Sequence, residues 1–424
     1  MRTYRQLFRA PEYPPFFFAC SAQVAARTVA GLALGSLVYA STGSALLSAL
    51  AMFGPALAQV VGAFTLLSAA DRLPPRAALA GLPLLLGLAT AAQAAPGMPT
   101  ALALALVLAQ GVPAALGGGV RYGLLTDILD RDGYLIGRSV LNMSTGFCQI
   151  LGYALGGLLV QALSPRGTLL IAAALYGLSA VVARCGLTRR PARAAGRPSV
   201  AETMRGNALL WSSRPRRYVY LALWVPNGLI VGCEALFVPY DPGHAGVLLA
   251  SAALGMLAGD VLAGRFLPPH WRARLGAPLR LLLAAPYLLF ATRLALPVAA
   301  FAVALASVGF AASLLLQERL VALTPDELSG HALGLHTAGM LSAQGVAALL
   351  AGALAEATSP ATAMTILAAV SLAVTLTLAP GLRAAERPKR PEDPENPKRP
   401  QHPEPPERTT RPRESGVDQL PPPC

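Results

Sequence analysis

Residues 39–76 read YASTGSALLSALAMFGPALAQVVGAFTLLSAADRLPPR. A polar turn, Thr42-Gly43-Ser44, opens onto an uncharged, mostly apolar run over 44–68. Asp71, Arg72 and, past two prolines, Arg76 close it. Such a run matches the roughly 20 apolar residues a helix needs to cross a hydrocarbon core. The turn before it is too short for a folded domain, and the loop after it is basic. The unit is a membrane span with a tight loop at one end and an arginine loop at the other.

Reading outward, the same unit recurs along the chain. Spans are expected near 15–39, 44–68, 77–95, 99–122, 138–163, 167–187, 218–239, 244–266, 277–293, 297–317, 330–355 and 360–380. The run at 277–293 is the shortest and ends on Arg293. Composition agrees. The 424 residues are 54% hydrophobic and 13% charged, with mean hydropathy +0.53, against about 25% charged in a soluble domain. A soluble multidomain enzyme lacks the polar surface for this, and a disordered chain is excluded on the same grounds. Five cysteines in this length do not make a disulfide scaffold.

Charge placement sets the topology. Of the 25 arginines before Arg383, 22 fall on one side of the spans, two (Arg166 and Arg293) on the other, and Arg27 lies within the first span. The positive-inside rule then places both termini in the cytoplasm of a cell (inner) membrane. The opening MRTYRQLFRAPEYPP leads directly into a full span, so no cleavable signal peptide is expected. A net charge of +13 is accounted for by these loops and not by a nucleic-acid-binding face.

The chain divides into four parts: an N-terminal six-helix bundle over 1–187, a cytoplasmic linker over 188–217, a C-terminal six-helix bundle over 218–382, and a tail over 383–424. The linker includes SVAETMRGNALLWSSRPRR, which reads as a short interfacial helix. The tail is rich in proline and charge, has no apolar period, and is expected to be disordered. The two halves resemble each other. Gly62, Arg72, Gly137, Gly146 and Gly152 recur 193 residues later as Gly255, Arg265, Gly330, Gly339 and Gly345. Parallel repeats of this kind suit a six-plus-six transporter.

Tyr39 to Arg76, with its Ala70-Asp71-Arg72 and Arg76, resembles the major facilitator superfamily, and its turn and loop look like the efflux-type branch. The segment Leu323-Thr-Pro-Asp-Glu-Leu-Ser-Gly-His-Ala-Leu-Gly-Leu335 is similar to that branch's loop between the tenth and eleventh helices. Gln110-Gly111 matches part of an antiporter motif whose arginine position is Val107 here. The resemblance covers about residues 5–382. It implies an all-α membrane protein with twelve transmembrane helices in two pseudo-symmetric six-helix bundles. It also implies a gating role for the loop residues Asp71, Arg72 and Arg76, with Arg72 pairing with Asp127. Arg121 reads as an inner-gate residue, and Asp260 as a partner for Arg265.

Two ionisable residues lie deep in spans, where a charge costs about 2.5–3.5 kcal/mol on insertion scales and marks function. These are Arg27 in the first span and Glu234 in the seventh. The resemblance places those two helices at equivalent positions around a central cavity. Arg27 and Glu234 are thus candidates for substrate binding and proton coupling, either pairing with each other or separating around a substrate. Gln23 lies one turn before Arg27, and Asn227 lies two turns before Glu234. Both join the candidate set, with Gln110. His331 and His336, five apart, do not share a helical face, so no metal site is expected.

No phosphate-binding loop or catalytic motif appears, so neither an enzyme nor an ATP-driven pump is expected, and no cofactor. The expected protein is a monomer in the lipid bilayer with a small-molecule substrate and a coupled proton. It exports a small amphipathic organic compound, a drug or metabolite, by alternating access as a proton antiporter. An uptake symporter for a small organic anion and a transport-inactive scaffold or sensor are the alternatives.

Overall fold

The computed structural model describes residues 4–66, 73–192, 200–266, 268–325 and 328–384. Among these, all regular structure is helical. Twelve helices are long and apolar enough to cross a membrane: α1 Tyr13–Thr42, α2 Ala45–Gly62, α3 Pro75–Gln93, α4 Thr100–Ile128, α5 Ile136–Leu163, α6 Pro165–Gly186, α7 Arg214–Tyr240, α8 Ala245–Phe266, α9 Arg274–Ala291, α10 Leu296–Ala322, α11 Ser329–Ala357 and α12 Pro360–Arg383. Every expected span is present, including the short ninth. Arg383 and Ala384 of the expected tail continue the last helix, and the rest of the tail lies outside the described residues.

Local chemistry sets the helix ends. Pro14 and Pro15 open α1, where their missing N–H groups leave no bond unmade. Gly43, at φ 67°, closes it and returns its N–H to the Tyr39 carbonyl at 2.8 Å. Asp130 precedes α5 and accepts the Gly133 N–H at 2.8 Å. A helix over Val200–Ser212 occupies the linker, as the sequence suggests.

The packing repeats. In the first half α1 packs on α5 and α6, α2 on α4, and α3 on α6. In the second, α7 packs on α11 and α12, α8 on α10, and α9 on α12. Adding six to each label of the first set gives the second. The halves meet through α2 with α11 and α5 with α8, two contacts that the same shift exchanges. This is a pair of pseudo-symmetric six-helix bundles. With little hydrophobic drive between helices in lipid, small residues set their closeness. A Cβ at Gly62 would strike the Val112 carbonyl of α4, and one at Gly255 the Ala304 carbonyl of α10. This glycine pair of the sequence repeat does the same work in both halves. The other glycine pairs meet different neighbours.

The halves differ in regularity. The spans α1–α6 are continuous α-helices. In the second half α7 stops at Glu234 and resumes at Phe237, α8 ends in a π-turn over Leu262–Phe266, α9 ends in 3-10 geometry over Ala285–Ala291, and α10 carries a 3-10 turn at Gly309–Ala311.

Both chain ends of the transmembrane region lie on the arginine-rich face. At the opposite face the two halves are joined. Leu46 N–H donates to Glu356 Oε1 at 3.3 Å, and the Ser44 hydroxyl donates to the same oxygen. The Gln161 amide donates to the Gly243 carbonyl, and Tyr39 Oη to the Pro239 carbonyl at 3.5 Å. The backbones also touch there, since a Cβ on Gly157 would lie 3.0 Å from Gly246 Cα.

Candidate functional site

Glu234 stands where the helical part of α7 ends. Proline at 239 explains the interruption: it has no N–H to offer the Ala235 carbonyl, and its ring crowds that carbonyl. The carboxyl is 6% exposed, and Oε1 has no hydrogen-bond partner. Around it lies the aromatic core of the second bundle. Phe237 stacks on Tyr287 at 6.4 Å, and Tyr287 on Phe290 at 5.7 Å. All three rings are fully buried. Tyr287 Oη and Ser307 Oγ are likewise buried without partners, and Tyr287 lies within electrostatic reach of Glu234. Buried polar atoms are nearly always bonded, so these three oxygens, with Thr375 Oγ1 of the same bundle a fourth, are a departure.

Arg27 occupies the matching helix of the first bundle. Helix α1 is an inner helix, with α2, α5 and α6 packed around it. The Arg27 side chain is nevertheless exposed, so it borders the space between helices. It has no hydrogen bond or ion pair among the described residues. Its charge reaches Tyr153 on α5 and Tyr176 on α6. Tyr153 also feels Glu234 and packs against the aromatic core of the second bundle. Arg27 and Glu234 form no ion pair. Tyr153, from the first bundle, lies within reach of both.

The remaining candidates separate by contact. Asn227, 5% exposed, accepts the Gln344 amide at 3.0 Å and so ties α7 to α11. Gln23 is half-buried and makes no hydrogen bond to Arg27 among the described residues, contrary to the shared network expected. Gln110 Nε2 is buried and unpartnered. Arg121 lies over the Tyr122 ring at 4.9 Å and donates to its hydroxyl at 3.3 Å, while its Nε is buried without a partner. Arg76 donates from Nε to the Arg184 carbonyl at 2.9 Å, closing the C-terminal end of α6 within its own bundle. Asp127 is exposed at the end of α4. Its expected partner Arg72, with Asp71, lies outside the described residues. Asp260 and Arg265 are exposed and do not pair with each other, contrary to expectation. Five residues apart, two side chains leave an α-helix about 140° apart around its axis, and the π-turn over Leu262–Phe266 does not bring this pair together. No group of three or more His, Cys, Asp and Glu side chains suited to a metal occurs among the described residues.

Sequence reasoning missed Tyr153, Tyr287 and Ser307. Tyr153 follows Gly152, which the sequence singles out only as one of the repeated glycines. Tyr287 and Ser307 carry no signal beyond being polar atoms in apolar runs.

At the arginine-rich face Glu12 accepts two bonds from Arg190, at 2.7 and 2.9 Å, and one from the Thr188 hydroxyl at 2.9 Å. Burial works against the Glu12 charge, but the bonds from Arg190 and Thr188 and the Arg190 charge outweigh it. The carboxyl is held below its ordinary value of 4.5.

Comparison with known proteins agrees with this architecture. No curated protein matches the chain. Among solved structures, a POT family transporter in complex with a thioalcohol-conjugated peptide superposes with a TM-score of 0.67 at 11% identity, over 88% of this chain and 96% of that one. The nucleoside transporter NupG gives 0.70 at 13% identity, over 88% and 99%. A bacterial homologue of the human lysosomal transporter Spinster, inward-facing and unoccupied, gives 0.62 at 13%, over 89% and 95%. At these identities the likeness is one of fold. The family model of the Major Facilitator Superfamily matches residues 16–317, well over half of the chain. The chain therefore belongs to the Major Facilitator Superfamily, a family of membrane transporters.

Proposed function

We propose that this protein is a proton-coupled secondary transporter that exports a small amphipathic organic compound by alternating access. The observation that carries the reading is Glu234: a carboxyl at the break of α7, nine-tenths buried, with an oxygen that no protein group satisfies. Such a carboxyl is a site at which a transporter can take up a proton from one side of the membrane and release it to the other. A break in a helix near the site is also the usual place for a transporter's ion or substrate. Tyr153 supports coupling between the halves, because it belongs to the first bundle and packs against the core of the second. The export direction rests on the loop resemblance around Asp71, Arg72 and Arg76. The membrane is the cell membrane, with the arginine-rich face cytoplasmic and the protein working as a monomer.

The test uses everted membrane vesicles with an acid interior and a quenched dye reporting the pH gradient. A panel of hydrophobic antibiotics and dyes is added to vesicles carrying wild type or Glu234→Gln. Compound-driven proton release in wild type, lost in the variant, is the expected result. Release that survives the variant places the proton elsewhere. Proton movement of the opposite sign with organic anions supports the second reading, an uptake symporter, which the exposed and unpartnered Arg27 favours.

A further inference from the structure

The six spans of the first bundle contain one carboxylate, Asp127, at the very end of α4. The spans of the second contain four: Glu234, Asp260, Glu318 and Glu356. Arg27 and Arg121 are the arginines of the first bundle set back from its loops, and Arg27 is the deeper. An arginine in a span is normally neutralised by a carboxylate or drawn out to the headgroups. Among the described residues Arg27 has no such carboxylate: α1 is packed on three sides, and neither an acid of its own bundle nor Glu234 is bonded to it. The space beside it is open. One turn further on α1, a Cβ at Gly31 would meet nothing within 4 Å.

We propose that Arg27 docks an anionic group of the transported compound, a carboxylate or sulfonate, on the open side of α1 that Arg27 and Gly31 share. The proposal rests on the transport reading and deepens it, since it names the compound as an organic anion. A planar guanidinium with its donors uncommitted suits a two-oxygen anionic head. Anion and proton then occupy different bundles, the anion on the first and the proton on Glu234 in the second.

The test needs no knowledge of the natural compound. Gly31→Cys is made in a chain whose five native cysteines are alanine. The new thiol, on the open side of α1, is reacted with 2-sulfonatoethyl methanethiosulfonate and, separately, with its trimethylammonium analogue. With Arg27 present, the rate with the sulfonate reagent should saturate with concentration, as docking before reaction requires. The cationic reagent should react more slowly and without saturation. Arg27→Gln should abolish saturation and lower the sulfonate rate by about tenfold, whereas Arg27→Lys should keep saturation. Saturation that persists in Arg27→Gln, or linear kinetics with both reagents in the parent, overturns the proposal. Glu234→Gln separates the two readings. It should remove coupled proton release and leave sulfonate saturation in place, so that failure of the proton assignment and failure of the anion assignment are read in different experiments.

Discussion

Helices α1 and α7 hold corresponding places in the two bundles, and they solve the problem of a buried charge differently. α1 runs unbroken, and its arginine meets open space with no protein partner. α7 stops at its carboxylate, which is packed among aromatic rings with an oxygen unpaired. The contrast extends through the halves, one built of continuous helices and the other of helices interrupted in four places. Pseudo-symmetry of packing therefore coexists with asymmetry of chemistry. The first half presents an exposed cation without a partner and the second a buried carboxyl with an unpaired oxygen, a difference that two identical halves would lack.

The largest expected effect breaks this contrast at its centre. Glu234→Leu should abolish coupled proton release, because nothing else at that position can carry the proton. The same change should raise stability by about 1–3 kcal/mol, since it removes a buried polar group without a partner. Thermal unfolding in detergent alongside the vesicle assay reads both. A variant that loses stability and activity together would make Glu234 a structural residue.

A second prediction tests the symmetry itself. Valine at Gly62 or Gly255 drives side-chain atoms into a facing carbonyl in each half. Each change should cost about 1–3 kcal/mol through overpacking, and similar losses are expected. A strongly unequal pair would show that the interrupted bundle yields where the continuous one does not.

The twelve spans were legible because lipid demands long apolar runs and arginines mark their ends. The interruptions were legible only in hindsight. Pro239 accounts for the break after Glu234, five residues earlier, and Pro286 for the end of the α-helical part of α9 at Leu282, four residues earlier. Yet Pro55, Pro83 and Pro113 lie within spans that stay continuous. Neighbouring helices decide which prolines break a helix, and one sequence does not contain that information. Depth along a helix likewise identified Arg27 and Glu234. It did not reveal that Tyr153 of another helix packs against the core of the second bundle, because that contact depends on the crossing of α5 with α8.

The seal opposite the arginine-rich face sharpens the comparison with a smaller effect. Its two latches occupy corresponding places but differ in charge. Glu356 of α11 accepts from Ser44 and Leu46 at the start of α2, whereas Gln161 of α5 donates to Gly243 before α8. The carboxylate also faces the positive end of α2. Glu356→Ala should weaken closure by about 1 kcal/mol, which is about fivefold in the balance between closed and open forms of this face. Spin labels at Ser41 and Thr358 should then report a larger long-distance population. Gln161→Ala, which removes a neutral bond, should shift it less.

The smallest effect is expected at the opposite face, where Glu12 ties the start of α1 to Thr188 and Arg190 beyond α6. This clasp belongs to the continuous half and joins its first and last helices. Being partly exposed, it should contribute less than about 1 kcal/mol. Its carboxyl is held below 4.5 in the folded protein. A depressed acid stabilises fully above its unfolded value and loses that contribution as pH falls through the folded value. Glu12→Gln should therefore unfold at a lower temperature than wild type at pH 7, with the gap narrowing below pH 4.5 and closing once wild-type Glu12 is itself protonated. A gap that stays constant through acid would mean that the amide disturbs packing at the helix start instead of removing a charge. In that case the first bundle, like the second, would be sensitive to small changes at its helix ends.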